Sequence, residues 1–361
     1  MSIPHPIGPR LAEFTTLRLG GPARAVRRCP DTAALIDAVV DSDRAGEPIL
    51  LIGGGSNLVI SDDGFDGTAV LIEGAGIEFG TDLRDGETAP YVEAEAGTDW
   101  DALVAATVEQ GYGGLECLSG IPGAAGTTPV QNVGAYGVEV ADMLRSVRLL
   151  DRANGEVTEV APEWLRLAYR TSRLKGRDDH VVLSVSFWLK PDGRSAPIRY
   201  RELARELGVA EGESTDAAAA RERVLALRRG KGMVLDAGDH DTWSAGSFFT
   251  NPIVGETDLP GVLDRIAARV GAETTVPQFP ADGGVKLSAG WLIERAGFTR
   301  GYPGEEAPAR LSTKHTLALT NRGAATTAEL LALATTVRDG VREAFGVTLH
   351  PEPVFVGCEL G

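Results

Sequence analysis

A chain of 361 residues is long enough for two or three domains at roughly 150 residues each, and 43% hydrophobic with 24% charged residues is an ordinary globular balance. A formal charge of −16 leaves no basic footprint for nucleic acid or an anionic membrane surface, and no apolar run approaches the ~20 residues of a membrane-spanning helix. Three cysteines (Cys29, Cys117, Cys358) and five histidines (His5, His180, His240, His315, His350) have no metal-ligand spacing, which argues against a metal site and for a reducing, cytoplasmic setting.

From Ala23 to Ser61 the pattern predicts strand, helix, strand and glycine loop. Asp31 is placed to cap the apolar helix TAALIDAVV, Pro48–Ile52 reads as a buried strand, and GGGSNLVIS follows it. A second unit repeats the logic. A strand begins at Val92, and Thr98 or Asp99 caps a helix with Trp100, Leu103, Val104 and Val108 on one face. Gly111 ends that helix. Next comes GIPGAAGTTPVQNVGAYG, Gly120 to Gly137, with five glycines and no charged side chain. SAPIRYRELARELGVAEGESTDAAAARERV is the most polar, alanine-rich tract, and no internal repeat is present. Near the end, Thr326 and Glu329 have capping-box spacing before a helix with Leu330, Leu333, Val337 and Val341 on one side. Alternating strand and helix signals predict α/β or α+β, with boundaries near Pro191–Ser195 and in the loop Gly232–Thr242.

The glycine loops carry the functional signal. Glycine accepts positive φ and has no Cβ, so consecutive amides can converge on an anion such as a pyrophosphate; a plain strand-ending turn is the competing reading. GxxxxGK[ST] is absent, and both GGGSNL and GYGGLE lack the third glycine of GxGxxG. A P-loop and a Rossmann site are therefore excluded, and two strand-following glycine loops require another fold.

GGGSNLVIS (53–61), GLECLSGIPGAAGTTPVQNVGAYGVE (114–139), YRTS (169–172), AGSFFTNP (245–252), VKLSAGWLIERAGF (285–298) and HPEPVFVG (350–357) occur in this order. Together, from Phe14 to Gly357, they resemble the UDP-N-acetylenolpyruvoylglucosamine reductase family of bacterial cell-wall synthesis. The resemblance implies an α+β chain: a p-cresol-methylhydroxylase-type FAD-binding fold of two α+β subdomains, plus a C-terminal α+β substrate-binding domain. The expected division is 1–72 joined by 346–361, then 73–232, then 243–345. It further implies non-covalent FAD reduced by NADPH, hydride passing from flavin N5 to the β-carbon of an enolpyruvyl ether, and protonation of the α-carbon. The implied ligand is a UDP-sugar, with no obligatory protein partner.

By position in these motifs, Gly53, Gly54, Gly55, Ser56, Asn57 and Leu58 would hold one side of the FAD diphosphate. Ile121, Pro122, Gly126, Thr127, Thr128, Gln131, Asn132, Gly134 and Ala135 would hold the other side and reach the flavin edge. Arg170 matches the catalytic arginine, since a guanidinium binds a carboxylate bidentately. Ser247 matches the proton donor, and Glu352 the glutamate that assists charge stabilisation. Tyr169, Tyr200, Arg228, Lys231, Asn251 and His315 fall at substrate contacts; Tyr200 belongs to the substrate-closing loop of the longer family type. His315 stands where glutamine commonly meets uridine, and GMVLDAGDHDTW is longer than usual. Trp291, Leu292, Ile293 and Phe298 read as core. Another FAD oxidoreductase or oxidase on the same scaffold, or a binding module without chemistry, is the alternative.

Overall fold

The computed structural model describes residues 8–361, so His5 and the start of the first expected domain lie outside the described residues. The N-terminal unit is a parallel sheet in which Phe65–Ile72 runs between Ala23–Cys29 and Ile49–Ile52. Parallel strands need a crossover, and helix Thr32–Ala45 supplies it. Asp31 caps that helix by accepting from the Ala34 amide at 2.8 Å, and Gly46 ends it in the left-handed region. The ILLI run is thus pinned between sheet neighbour and helix, and the chain is delivered straight into the first glycine loop.

The second unit is a five-stranded antiparallel sheet with Leu144–Asp151, His180–Trp188 and Glu87–Glu95 at its centre. This last strand begins at Glu87, not Val92; it pairs along nearly its whole length with the exposed edge strand Ile77–Arg84, so polar residues extend it beyond its apolar stretch. His180–Trp188 is buried along nearly its whole length because it faces two cores: Val185 and Phe187 pack with Trp100 and Leu103, while Val181 and Leu183 pack against Cys29, Leu35 and Val70 of the first unit. Asp99, not Thr98, caps helix Trp100–Glu109; the Thr98 hydroxyl donates to Gly76 O. The polar tract 195–224 holds two helices, Arg201–Leu207 and Ala217–Gly230.

A third core gathers Phe248, Leu292, Ile293, Leu330, Val337 and Val341 around helices Leu259–Val270, Ala289–Ala296 and Thr327–Phe345. Both halves of the Thr326–Glu329 capping box form. Leu17, Leu19 and Val59 belong to the same core, and strand Val354–Val356 pairs in parallel with Leu58–Ile60. The chain end therefore lies beside the first glycine loop. Among the described residues no helix is long and apolar enough to cross a membrane.

Candidate active site

The two glycine loops interlock. A Cβ built on Gly54 would stand 2.5 Å from Gly123 Cα, closer than real Cβ atoms approach, so the loops meet through main chain where side chains are missing. Gly55 sits at φ 60, and a Cβ there would lie 1.8 Å from Phe14 O. The second loop is pinned from behind: Trp100 N donates to Gly123 O at 3.0 Å, Gly126 N to Ala96 O at 2.9 Å, and Gly120 N to Asp101 Oδ1 at 2.6 Å. Asp101 also takes a two-toothed Arg221 at 2.6 and 2.9 Å, which ties helix Ala217–Gly230 to the same loop.

Together the loops line a cavity of about 660 Å³, a size usual for small-molecule sites. Gly53, Gly55, Ser56, Asn57 and Leu58 face it from one loop. From the other come Ile121, Pro122, Gly126, Thr127 and Thr128, with Gln131 and Gly134 further along. Gly54 faces a smaller adjoining pocket instead. Ala135 is outside the cavity in a two-residue strand. Asn132 is buried, and its side chain serves the protein: Nδ2 donates to Glu139 Oε2 (2.8 Å) and Ala168 O (3.2 Å), while Oδ1 accepts from Ala141 N (3.0 Å). Asn132 thus shapes the loop. Cys117 is fully buried and away from the cavity.

Arg170, Ser247 and Glu352, far apart in sequence, line this same cavity. Arg170 Nη2 donates to Gly134 O at 2.7 Å and Nη1 to Asn132 O at 3.3 Å, while Nε lies 3.4 Å from Glu352 Oε1. Glu352 N donates to Phe248 O at 2.9 Å, which sets the glutamate beside the residue after Ser247. Asn57 Nδ2 donates to Gln131 Oε1 at 2.7 Å, and Gln131 Nε2 to Glu352 Oε1 at 3.5 Å, so a polar chain runs from glycine loop to carboxylate. Burial pushes Glu352 above the usual carboxylate range, against the pull of Arg170 and Lys175.

Of the remaining candidates, Lys231, Tyr200 and His315 gather near Arg228, while Tyr169 and Asn251 lie beside Arg170. Arg228 lines the cavity, donates from Nη2 to Met233 O at 2.7 Å, and has a buried Nε with no partner. Burial pulls Arg228 down to about 10. An orphaned guanidinium nitrogen on a cavity lined by both glycine loops is what an anionic dinucleotide or sugar nucleotide would complete, so the residues present fit a bound FAD. Lys231 Nζ donates to Glu202 Oε2 at 2.7 Å and lies 5.9 Å from the ring centres of both Tyr136 and Tyr200. Those rings meet edge to face at 5.3 Å, and Tyr200 is 42% exposed. Burial lowers Lys231, but Glu202 and the two tyrosines bring it above its ordinary value. Burial, with Lys231, Arg300 and Arg228 nearby, pulls His315 down to about 4. Asn251 accepts from Ala289 N at 2.9 Å and hydrogen-bonds Tyr169, whose ring lies under Arg170 and Lys286.

Sequence reasoning missed Glu139, Tyr136, Glu202 and Lys175. Tyr136 and Glu139 sit inside the quoted motif 114–139, Lys175 five residues after Arg170 and Glu202 two after Tyr200, so proximity to a motif was the available signal; which charge each one meets, as Glu202 meets Lys231, is set by the fold.

Residues 238–356 match the family model for UDP-N-acetylenolpyruvoylglucosamine reductase, C-terminal domain, and residues 23–161 match an FAD binding domain. The chain is 63% identical to the UDP-N-acetylenolpyruvoylglucosamine reductase of Nocardia farcinica over 351 residues, 97% of this chain and 89% of that one. It is 62% identical to the protein of the same name from Saccharopolyspora erythraea, covering 98% and 96%. The solved UDP-N-acetylenolpyruvylglucosamine reductase of Thermus caldophilus shares the fold with a TM-score of 0.61 at 24% identity, covering 96% and 97%.

Proposed function

Since the chain belongs to the UDP-N-acetylenolpyruvoylglucosamine reductase family, we propose that it reduces the enolpyruvyl ether of UDP-N-acetylglucosamine-enolpyruvate to UDP-N-acetylmuramate in peptidoglycan precursor synthesis. Bound FAD, reduced by NADPH, supplies the hydride for the β-carbon. Gly53, Gly55 and Ser56 on one loop, and Ile121, Gly123 and Ala124 on the other, would hold the cofactor through main-chain amides, while the amides of Gly126, Thr127 and Thr128 hold the loop in shape by donating to Ala96 O, Ala124 O and Ala125 O. One observation carries the reading: an arginine, a serine and a glutamate remote in sequence face one cavity with both glycine loops.

Arg170 receives the substrate carboxylate, where charge spreads after hydride arrives at the β-carbon; oriented cationic donors of this kind stabilise such charge strongly. Ser247 gives its hydroxyl proton to the α-carbon. A hydroxyl is a weak acid in water, so the role requires cationic support for the developing alkoxide, which Arg170 on the same cavity can give. At the other end Lys231 and Arg228 meet the substrate diphosphate, Tyr200 and Tyr136 cover it, and His315 and Asn251 bound the nucleotide half, with Tyr169 reaching from Asn251 to Arg170. The division into 1–72 with 346–361, 73–232 and 243–345 belongs to this reading, supported by the return of Val354–Val356 to Leu58–Ile60. So does a cytoplasmic location, supported by the free thiols of Cys29, Cys117 and Cys358.

The test is anaerobic titration of the NADPH-reduced protein with the enolpyruvyl UDP-sugar, following flavin reoxidation. Stoichiometric reoxidation is expected; a flavin that the UDP-sugar leaves reduced and that reoxidises only once oxygen is admitted would point to an oxidase on the same scaffold and sink the reading. Ser247→Ala should leave flavin reduction by NADPH intact and slow substrate turnover on the order of 100-fold.

A further inference from the structure

Arg170 is held at φ 53, in the left-handed region, which costs a residue with a Cβ free energy unless its surroundings over-determine it. Three contacts do so. Ala168 and Thr171 exchange backbone hydrogen bonds at 3.0 and 3.1 Å around it, the guanidinium reaches Gly134 O and Asn132 O, and Lys175 Nζ donates to the Arg170 carbonyl at 2.9 Å. The third is unusual. Lys175 lines the cavity, and burial lowers its affinity for the proton; among the described residues no carboxylate lies within ion-pair distance of it. A half-buried ammonium beside a guanidinium is electrostatically unfavourable unless an anion is shared. The groups facing Glu352 are Arg170 Nε at 3.4 Å, Gln131 Nε2 at 3.5 Å, Lys175, and the neutral phenol of Tyr169.

We propose that Lys175 is a positioning residue for the reduction: its ammonium clamps the left-handed Arg170 peptide and supplies the second positive charge to the Arg170–Glu352 pair. This rests on the reductase reading above. Removing the cation takes a favourable interaction from the carboxylate, so Glu352 keeps its proton to higher pH and the acid limb of the pH profile moves upward. Removing the donor also frees the Arg170 peptide.

The experiment compares Lys175→Met, Lys175→Gln and Lys175→Arg in the flavin-loaded enzyme. Lys175→Met should lower kcat roughly tenfold or more, the effect of losing one charge-assisted hydrogen bond. It should leave KM for the UDP-sugar within about threefold, since that substrate's diphosphate sits with Lys231 and Arg228. The acid limb of kcat/KM should move up in Lys175→Met and Lys175→Gln and return in Lys175→Arg. Amide exchange at residues 168–172 should quicken in Lys175→Met and stay slow in Lys175→Gln, which keeps a donor. A wild-type kcat and an unmoved limb in Lys175→Met would overturn the proposal. So would quickened exchange without a limb shift, because that is a merely structural lock. If Lys175→Met does not fold, the limb difference between Lys175→Gln and Lys175→Arg decides alone. Wild-type enzyme that fails to reduce the UDP-sugar would refute the reductase reading instead, and is scored separately.

Discussion

The glycine-loop cradle and the mouth around Lys231 share Arg228 but are built from different materials. In the cradle the contact surface is main chain: Gly54 packs on Gly123, Gly55 fits under Phe14 O, and the amides behind them are held by Trp100, Asp101 and Ala96. In the mouth the groups are side chains on a helix end and a loop: Glu202 answers Lys231, while Arg228 gives one nitrogen to Met233 O and keeps Nε unpaired. Main-chain geometry set by closely packed neighbours is rigid, because any added atom collides with backbone. Side-chain pairs can part, so a substrate can displace Glu202 from Lys231 at modest cost. A permanent cofactor suits the first plan and an exchanging substrate the second.

That contrast can be broken by mutation, and the largest effect is expected in the cradle. Gly55→Ala adds a Cβ where Phe14 O stands at 1.8 Å and where φ is positive; it should destabilise the protein by about 2 kcal/mol or more and strip the flavin, read as melting temperature and absorbance of the purified protein. Normal flavin content would show that the loop yields and that the cradle is no more rigid than the mouth. Lys231→Ala should keep the flavin and raise the apparent KM for the UDP-sugar roughly tenfold; steady-state kinetics with an unchanged KM would remove Lys231 from the mouth.

The smallest effect is one of pH. His315 has its folded-state value at about 4 against an ordinary 6.5, so between those limits the unfolded chain binds more protons and stability rises with pH. Wild-type protein should therefore lose melting temperature faster than His315→Gln as pH falls from 6.5 towards 4. Parallel melting curves would mean that His315 is solvated, and that the mouth is looser than its packing implies.

The cradle was largely legible beforehand because its information is local. Glycine spacing, capping residues such as Asp31 and Asp99, and the apolar strands on either side are all read within a few positions. Asn132 shows the limit: its motif is local, but its side chain turns to Glu139 and Ala168 and shapes the loop. The mouth was legible only through the family resemblance. Lys231 and His315 are far apart in the chain, and nothing near either one announces Glu202, Tyr136 or Arg300.

Local stereochemistry and hydrophobic patterning were enough to state where the chain turns, which helices begin where, and that bare amides follow two strands, since those properties depend on neighbours in sequence. Only the folded chain brings strand Val354–Val356 beside Leu58–Ile60 and so delivers Glu352 to Arg170. It also decides that Glu352 is pushed up, that Arg228 keeps an unanswered nitrogen, and that Lys175 grips a strained peptide. Burial and charge proximity are sums over everything within a few ångströms, and residues distant along the chain supply most of that sum.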